Sequence, residues 1–452
     1  MRLRNVVILA STAALAIGLA GCSSTPTSTA PAAPPSSTNA APPSTTQAAP
    51  PSTSAAPAQV TMTFWHNATQ GKGSAYWEQA VAAFEAANPG VKINIEIVQN
   101  EDLDGKLQAA MQADKTPDIF FQRGGQKMAD QVAAGKVADI TALLDPTIKT
   151  QYAGSLAPMY IDGKLYGIPT SMMPEGFWYS KDLFDAAGVK AEDIKTIDDL
   201  IAAGAKLKAT GVAPISLGAK DAWPAAHWFY QFGLRQCSQA EAQAMVAGKP
   251  NMDDPCWLAA LKSLADFRDA KLFNDGFLTT AAQQGAGSSA GMVANHKAAM
   301  ELMGAWNVGV IGNLTPDGNN LKDLGFFPFP SVPGGQGDPA AMMAGNDGYS
   351  CSNKAPQPAC ANFLNFFSTV EQQKLAAVAF STIPGNPAAS DAVADPAQKQ
   401  ATEALGKSPY TLLWFDTALG QKGNELNKAV VALLAGQVDP AGALAQIKAA
   451  LA

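Results

Sequence analysis

Regular patterning of apolar and polar positions begins at Val60. Val60 to Trp65 alternates loosely, as a half-buried strand does. A helix is predicted from about Ser74, with Trp77, Val81 and Phe84 at helical spacing, and Asn88-Pro89-Gly90 ends it. Val91, Ile93, Ile95 and Ile97 alternate strictly and predict a second strand. Leu103, Leu107 and Met111 mark the next helix, and Pro117-Asp118 opens a third strand at Ile119-Phe120-Phe121. Strands alternating with helices imply an α/β fold with a parallel sheet and helices on its faces. Ligands of such sheets bind beyond the carboxyl ends of the strands. The loops Trp65–Gly73 and Gln122–Gly125 leave such ends.

The middle of the chain is helix-rich, with breaks at Pro214, Pro224, Pro250 and Pro255, and Leu258, Leu261, Leu264 and Ala265 marking one amphipathic helix. Lys297 to Trp306 reads as a helix end or turn followed by a short apolar run, Ala298 to Met303. Phe326 to Val332, carrying Pro328 and Pro330, reads as an edge strand or extended loop. Helices return at Ala361–Phe367, Glu371–Phe380 and Glu425–Leu434. Trp77, Trp178, Trp228 and Trp257 fit helix or strand faces and are expected in the core, and Trp65 is expected to point inward.

The N-terminus reads as an address. Arg2 and Arg4 precede an apolar run, Val6 to Leu19, too short for a spanning helix and suited to a signal peptide over residues 1–21. Leu19-Ala20-Gly21-Cys22 resembles the bacterial lipobox, which implies cleavage before Cys22 and a lipid on that cysteine. Residues 22–58 follow as a Ser/Thr/Ala/Pro tether without a charged or aromatic side chain, too poor in apolar groups to pack. The expectation is export and lipid anchoring to the outer face of a bacterial membrane.

Of five cysteines, four remain beside Cys22. An even number in an oxidising compartment predicts two disulfides. Three pairings are possible, and the local ones, Cys237–Cys256 and Cys351–Cys360, are the expectation. No Cys-x-x-Cys occurs and the three histidines lie far apart in sequence, so no metal or other cofactor is expected. The formal charge of −7 argues against nucleic acid, which needs a basic surface. The body is long enough for two lobes.

Several segments resemble, in order, the extracellular solute-binding proteins of ABC importers, in the carbohydrate branch that includes the maltose-binding proteins. They are FWHN, FEAANPGVKINIEIV, TPDIFF, GKLYGIPT, WYSKDLFDAAGV, KLKATGVAPISLG, KAAMELMGAW and GNDGYSCSNKAP. The resemblance implies a two-lobed periplasmic-binding-protein-like fold of type II, with the ligand in a cleft between lobes joined by crossing hinge strands. The N-lobe is expected over 59–173 and 344–383, the C-lobe over 174–343 and 384–452. Crossovers would lie near Ser171–Glu175, Ala344–Gly348 and Thr382–Pro384. The implied function is capture of a sugar, an oligosaccharide first, by a monomer that delivers it to a permease with a separate ATPase subunit.

A sugar offers an apolar C–H face and a rim of hydroxyls, so its site needs aromatic platforms and planar polar groups. By position in the family pattern, Trp306 in MGAW is the stacking platform and Trp223 in KDAWP a second. Asn67 matches a cleft amide, and His66 neighbours it. Gln122 stands where maltose binders carry a tryptophan, which points to a different sugar or smaller subsite, and Arg123 lies beside it. Glu175 falls on the first crossover and Asn346-Asp347 on the second, between Gly345 and Gly348. Trp414 and Asp416 are further candidates near the C-terminus.

Rival classes leave weaker traces. Gly287-Ser288-Ser289-Ala290-Gly291 spells a nucleophile elbow but lacks the apolar strand before it. Gly406-Lys407-Ser408 ends like a P-loop, with Ala401 where the first glycine belongs. A surface glycosidase would need two carboxylates at a fixed separation, and spacing leaves Glu175 with Asp347 open. A binding protein for another solute, with the same fold, is the nearer rival.

Overall fold

A computed structural model describes residues 59–69 and 71–452, and the expected signal peptide, Cys22 and tether lie outside these. The alternating stretch Val60–His66 forms a strand, parallel to Val91–Ile97 over its whole length and to Ile119–Gln122 on its other side. Beyond Ile119–Gln122 the order continues antiparallel through Gly348–Cys351 to Ile168–Pro169. The sheet is therefore mixed, where the alternation of strands and helices predicted a parallel one. Gly348–Cys351 enters from the other half of the chain and runs against its neighbours. Helix Gly71–Ala87 lays Tyr76, Trp77, Ala80, Val81 and Phe84 on this sheet, a helical stripe. Trp77 meets Phe64 and Tyr349 edge-on at 5.0 and 4.9 Å. Such aromatic pairs each add about 0.5–1.5 kcal/mol beyond their buried area.

One long strand, Ser171–Ser180, organises the second sheet. Along its length it pairs antiparallel with Ile383–Pro384, then Met342–Gly345, then Ala298–Gly304, with Leu324–Phe327 on its other edge. The run Ala298–Gly304, read from sequence as a turn and apolar run, is a fully buried strand. Buried on both faces, it shows no alternation, which is why periodicity missed it. Two hydrophobic cores result. One draws on Met62 to Ile168 and Tyr349 to Ala376, the other on Met173 to Met343 and Ala397 to Ile447. The chain passes between the sheets at Pro169–Ser171 and Gly345–Gly348. Ile383–Pro384 lies against the start of the long strand.

Helix Trp223–Gln236 runs through the second core and buries every residue from Pro224 to Arg235. Pro224 sits in its first turn, where the missing N–H costs nothing. Arg235, 2 % exposed, donates to the carbonyls of Pro330 at 3.2 Å, Phe329 at 2.8 Å and Ala341 at 2.9 Å. These bonds fasten the segment that leads into Met342–Gly345. Cys237 and Cys256 are joined with Cα atoms 4.9 Å apart, and Cys351 and Cys360 at 6.1 Å, both spans a disulfide accepts. Each ties the end of one element to the first turn of a helix.

Truncating Arg235 leaves three buried carbonyls without their donor. Arg235→Ala is expected to destabilise the protein by about 2–4 kcal/mol. Urea unfolding measures this as a lowered midpoint, and an unchanged midpoint would show that the carbonyls find other donors.

Candidate ligand-binding site

The wall on the second core is aromatic. Trp306 follows the buried strand and leads into helix Asn307–Leu314, Trp223 opens helix Trp223–Gln236, and His227 stands one turn further along that helix. Trp414 precedes the short helix Phe415–Ala418. Trp306 meets Trp414 edge-on at 5.3 Å and Trp223 at 6.1 Å, while His227 stacks on Trp414 at 5.7 Å with planes 8° apart. Two glycines make room for these rings. A Cβ at Gly304 would lie 1.9 Å from the Trp306 ring, and one at Gly345 would lie 1.8 Å from that of Trp414.

Glu175 fixes the wall from behind. It is 1 % exposed, and its two oxygens engage His227 Nδ1 at 2.9 Å and Trp414 Nε1 at 2.8 Å. Burial works against a charge on His227, but the Glu175 carboxylate outweighs it and raises the pKa of the imidazole.

The wall on the first core is polar. Arg123 donates to Asp104 at 2.9 Å and to Asn100 at 3.0 Å, and lies 3.6 Å from Asp347. Lys127 adds a second cation on Asp104 at 2.9 Å. Asn67 donates to Asn100 at 3.2 Å. Burial pushes the Asp347 carboxyl up to about 6 against the pull of Arg123. The Arg123 guanidinium rests 5.2 Å from the centre of the Phe121 ring.

Between these walls lies a cavity of about 830 Å³, within the size of small-molecule sites. Of the sequence-predicted residues, Asn67, Arg123, Trp223, Trp306, Asp347, Trp414 and Asp416 line it. Four others, His66, Gln122, Glu175 and Asn346, lie off the cavity lining, against the expectation that they face it. His66 is buried against Phe64 and Trp77 and accepts from the Ala68 N–H. The Gln122 side chain is spent on Gln131 and on the Arg123 and Gly124 N–H groups. Asn346 donates to the Ser155 carbonyl at 2.9 Å. Glu175 is the buried brace, spent on His227 and Trp414 and off the cavity lining, whereas Asp347 lies on it. Trp65, on the opposite strand face from Phe64 and His66, is half-buried, packs against the first core and lies beneath Lys106 at 4.8 Å.

Sequence reading missed His227, Asn100, Asp104, Lys127 and Asn427, all on the cavity. His227 was within reach, because it is four residues beyond Trp223 on one helix face. Trp77, expected in the core, is buried there and also closes the floor of the cavity. Gln284 donates to Gln99 at 3.0 Å and Glu101 at 2.8 Å, bridging the two walls at the mouth.

The rival motifs dissolve in the fold. Ser288 caps helix Ser289–Ala294, and Ser289 is buried with its hydroxyl on Ala282 and Glu301. Gly406-Lys407 ends helix Pro396–Lys407, so no phosphate loop opens there. Asp182, His296 and Asp323 bring ligand atoms within 4.8 Å of one another at the surface, a grouping invisible in sequence. His296 and Asp323 already engage each other there at 3.0 Å. No helix of the described residues is long and apolar enough to cross a membrane.

Two α/β halves around one aromatic and polar cleft define a solute-binding receptor. Residues 67–374 match the bacterial extracellular solute-binding proteins, and the chain belongs to that family. It is 27 % identical over 369 residues to an uncharacterised ABC transporter extracellular-binding protein of Pyrococcus horikoshii, covering 78 % of each chain. A solved chitin oligosaccharide binding protein superposes with a TM-score of 0.77 at 27 % identity, over 87 % of this chain and 98 % of that one. A chain from work on xylan utilization by the thermophilic bacterium Caldanaerobius polysaccharolyticus shares the fold with a TM-score of 0.80 at 24 % identity. That match covers 86 % of this chain and 99 % of the other.

Burial lowers the pKa of His66 to about 4. The unfolded chain, with an ordinary histidine near 6.5, therefore takes up the proton first as pH falls. The contribution of His66 to stability is level above about pH 6.5 and declines from there towards about pH 4. Between pH 7 and 4.5 the wild type is expected to lose roughly 2–3 kcal/mol more than His66→Gln. Urea unfolding of both proteins across that range checks this, and parallel pH profiles would contradict it.

Proposed function

We propose that this protein captures a sugar, and specifically an oligosaccharide, in the cleft and delivers it to the permease of an ABC importer whose ATPase is a separate chain. The aromatic wall of Trp223, Trp306 and Trp414 facing the polar wall of Asn67, Arg123 and Asp347 carries the reading. Rings of this kind offer flat apolar faces to C–H groups, and amides, guanidinium and carboxylates suit vicinal hydroxyls. The likeness to a chitin oligosaccharide binding protein supports the same reading, and the likeness to an ABC transporter extracellular-binding protein supports the transport role.

The lobes we propose are 59–173 with 344–383 and 174–343 with 384–452, a division supported by the way the two cores recruit their residues. A ligand bridging both walls binds the closed arrangement better than the open one and shifts the population towards it. We read the chain as a receptor and not an enzyme, acting as a monomer after export. A lipid on Cys22 would hold it to the outer face of the membrane.

Trp306→Ala is expected to weaken binding of the best oligosaccharide at least about tenfold, a loss of 1.4 kcal/mol or more, with the fold intact. Calorimetric titration, after a thermal-shift screen of oligosaccharides, measures it. Unchanged affinity would remove Trp306 from the site, and multiple turnover of the sugar would replace the receptor with a hydrolase.

A further inference from the structure

One carboxylate of the cleft lacks a direct ion pair, although Lys127, Lys220 and Lys428 also line the cavity. Three carboxylates lie deep in the site or directly behind it: Glu175, Asp347 and Asp416. Glu175 has His227 at 2.9 Å, and Asp347 has Arg123 at 3.6 Å. Asp104, nearer the solvent, has both Arg123 and Lys127 at 2.9 Å. Asp416 is 9 % exposed, and among the described residues no basic group reaches it within 4.0 Å. Its oxygens accept from the Thr417 N–H at 2.8 Å and from the Asn427 amide at 3.3 Å, the latter long for a bond to a charge. Arg123 and His227 act on Asp416 through space, and no direct ion pair compensates its carboxylate.

The surroundings favour a cation and not merely a proton donor. Asp416 adds its repulsion to Asp347, one of the causes that hold the Asp347 carboxyl up. Trp414 is two residues away in sequence, with His227 stacked on it and Trp306 edge-on to it. The negative faces of such rings attract an ammonium group, by about 0.5–2 kcal/mol. The rest of the lining is amide-rich, with Asn67, Asn100, Gln283, Asn313 and Asn424, groups that suit hydroxyls and not a bare polyamine.

We propose that the sugar this cleft is built for carries a free, unacetylated amine, and that Asp416 is the counter-ion of its ammonium group. This rests on the sugar-binding reading and names the class of sugar. One positive charge between Asp416 and Asp347 completes the pairing that Arg123 and His227 leave unfinished. Neutral isosteres would occupy the same platforms while leaving Asp416 unpaired, and the site would discriminate against them for that reason.

The test titrates the intact protein by calorimetry with three β-1,4-linked disaccharides: diglucosamine, its N,N′-diacetylated form and cellobiose. At about pH 6, where an aliphatic amine is charged, diglucosamine is expected to bind at least about tenfold tighter than either neutral sugar. The amine of an amino sugar, flanked by electron-withdrawing oxygens, loses its proton at roughly 8, as an α-amino group does, so raising the pH to about 9 is expected to erase most of that advantage. Asp416→Asn is expected to reduce the affinity ratio at about pH 6 to below threefold. A neutral sugar that binds as tightly as diglucosamine at the lower pH would overturn the inference and leave the sugar-binding reading standing. An advantage that persists undiminished at the higher pH, or in Asp416→Asn, would overturn Asp416 as the counter-ion. Failure of these three and of every oligosaccharide in the thermal-shift screen would overturn the sugar-binding reading itself.

Discussion

Glu175 lies in the strand that both halves of the molecule use, and its carboxylate is almost wholly withdrawn from water. A buried carboxylate must be paired and hydrogen-bonded or the fold loses several kcal/mol. Its two partners come from distant parts of the chain, His227 from the helix through the second core and Trp414 from the C-terminal segment. That demand fixes the azimuth of both rings, and Trp306 and Trp223 pack against them. The aromatic platform on the cavity is thus set by a carboxylate that lies off its lining.

The same strand also explains why the cleft lies where it does. Its first residues pair with Ile383–Pro384 and with the end of Met342–Gly345, the middle and end with the buried strand Ala298–Gly304. The chain therefore changes sheets at the start of this strand, while each core holds its own helices. Small rotations at such crossings cost little compared with deforming either core, which is packed like an organic crystal. Gln284, reaching across the mouth to the Gln99 amide and the Glu101 carboxylate, makes two side-chain contacts at that rim. Two exposed hydrogen bonds contribute about 1–3 kcal/mol each at most, far less than either core.

Local signals in the sequence carried much of this architecture. Strict alternation marked Val91–Ile97, and helical spacing marked the stripe of Trp77, Val81 and Phe84. The buried strand Ala298–Gly304 escaped because burial on both faces erases the period of two. At the site, residue type and loop position led to Trp306, Trp223, Arg123 and Asp347, all on the cavity. They also led to His66, Gln122, Glu175 and Asn346, which lie off the cavity lining, because one or two residues along a strand or just past its end decide between cavity and core. Phe64, His66 and Met62 share the inner face of their strand, and only Asn67, beyond its end, escapes to the cleft. The Asp182, His296 and Asp323 grouping and the brace on Trp414 are tertiary facts, carried by residues far apart in the chain.

The central claim is that one sugar occupies the space between the aromatic and polar walls and contacts both. A crystal structure of the protein grown with a saturating oligosaccharide from the binding screen tests it most directly. The account predicts electron density for a sugar ring lying flat against Trp306, with hydroxyl or amine groups within hydrogen-bond distance of residues from both halves, Asp347 or Arg123 on one side and Asp416 on the other. Sugar density on a single wall, or outside the cleft altogether, would contradict it.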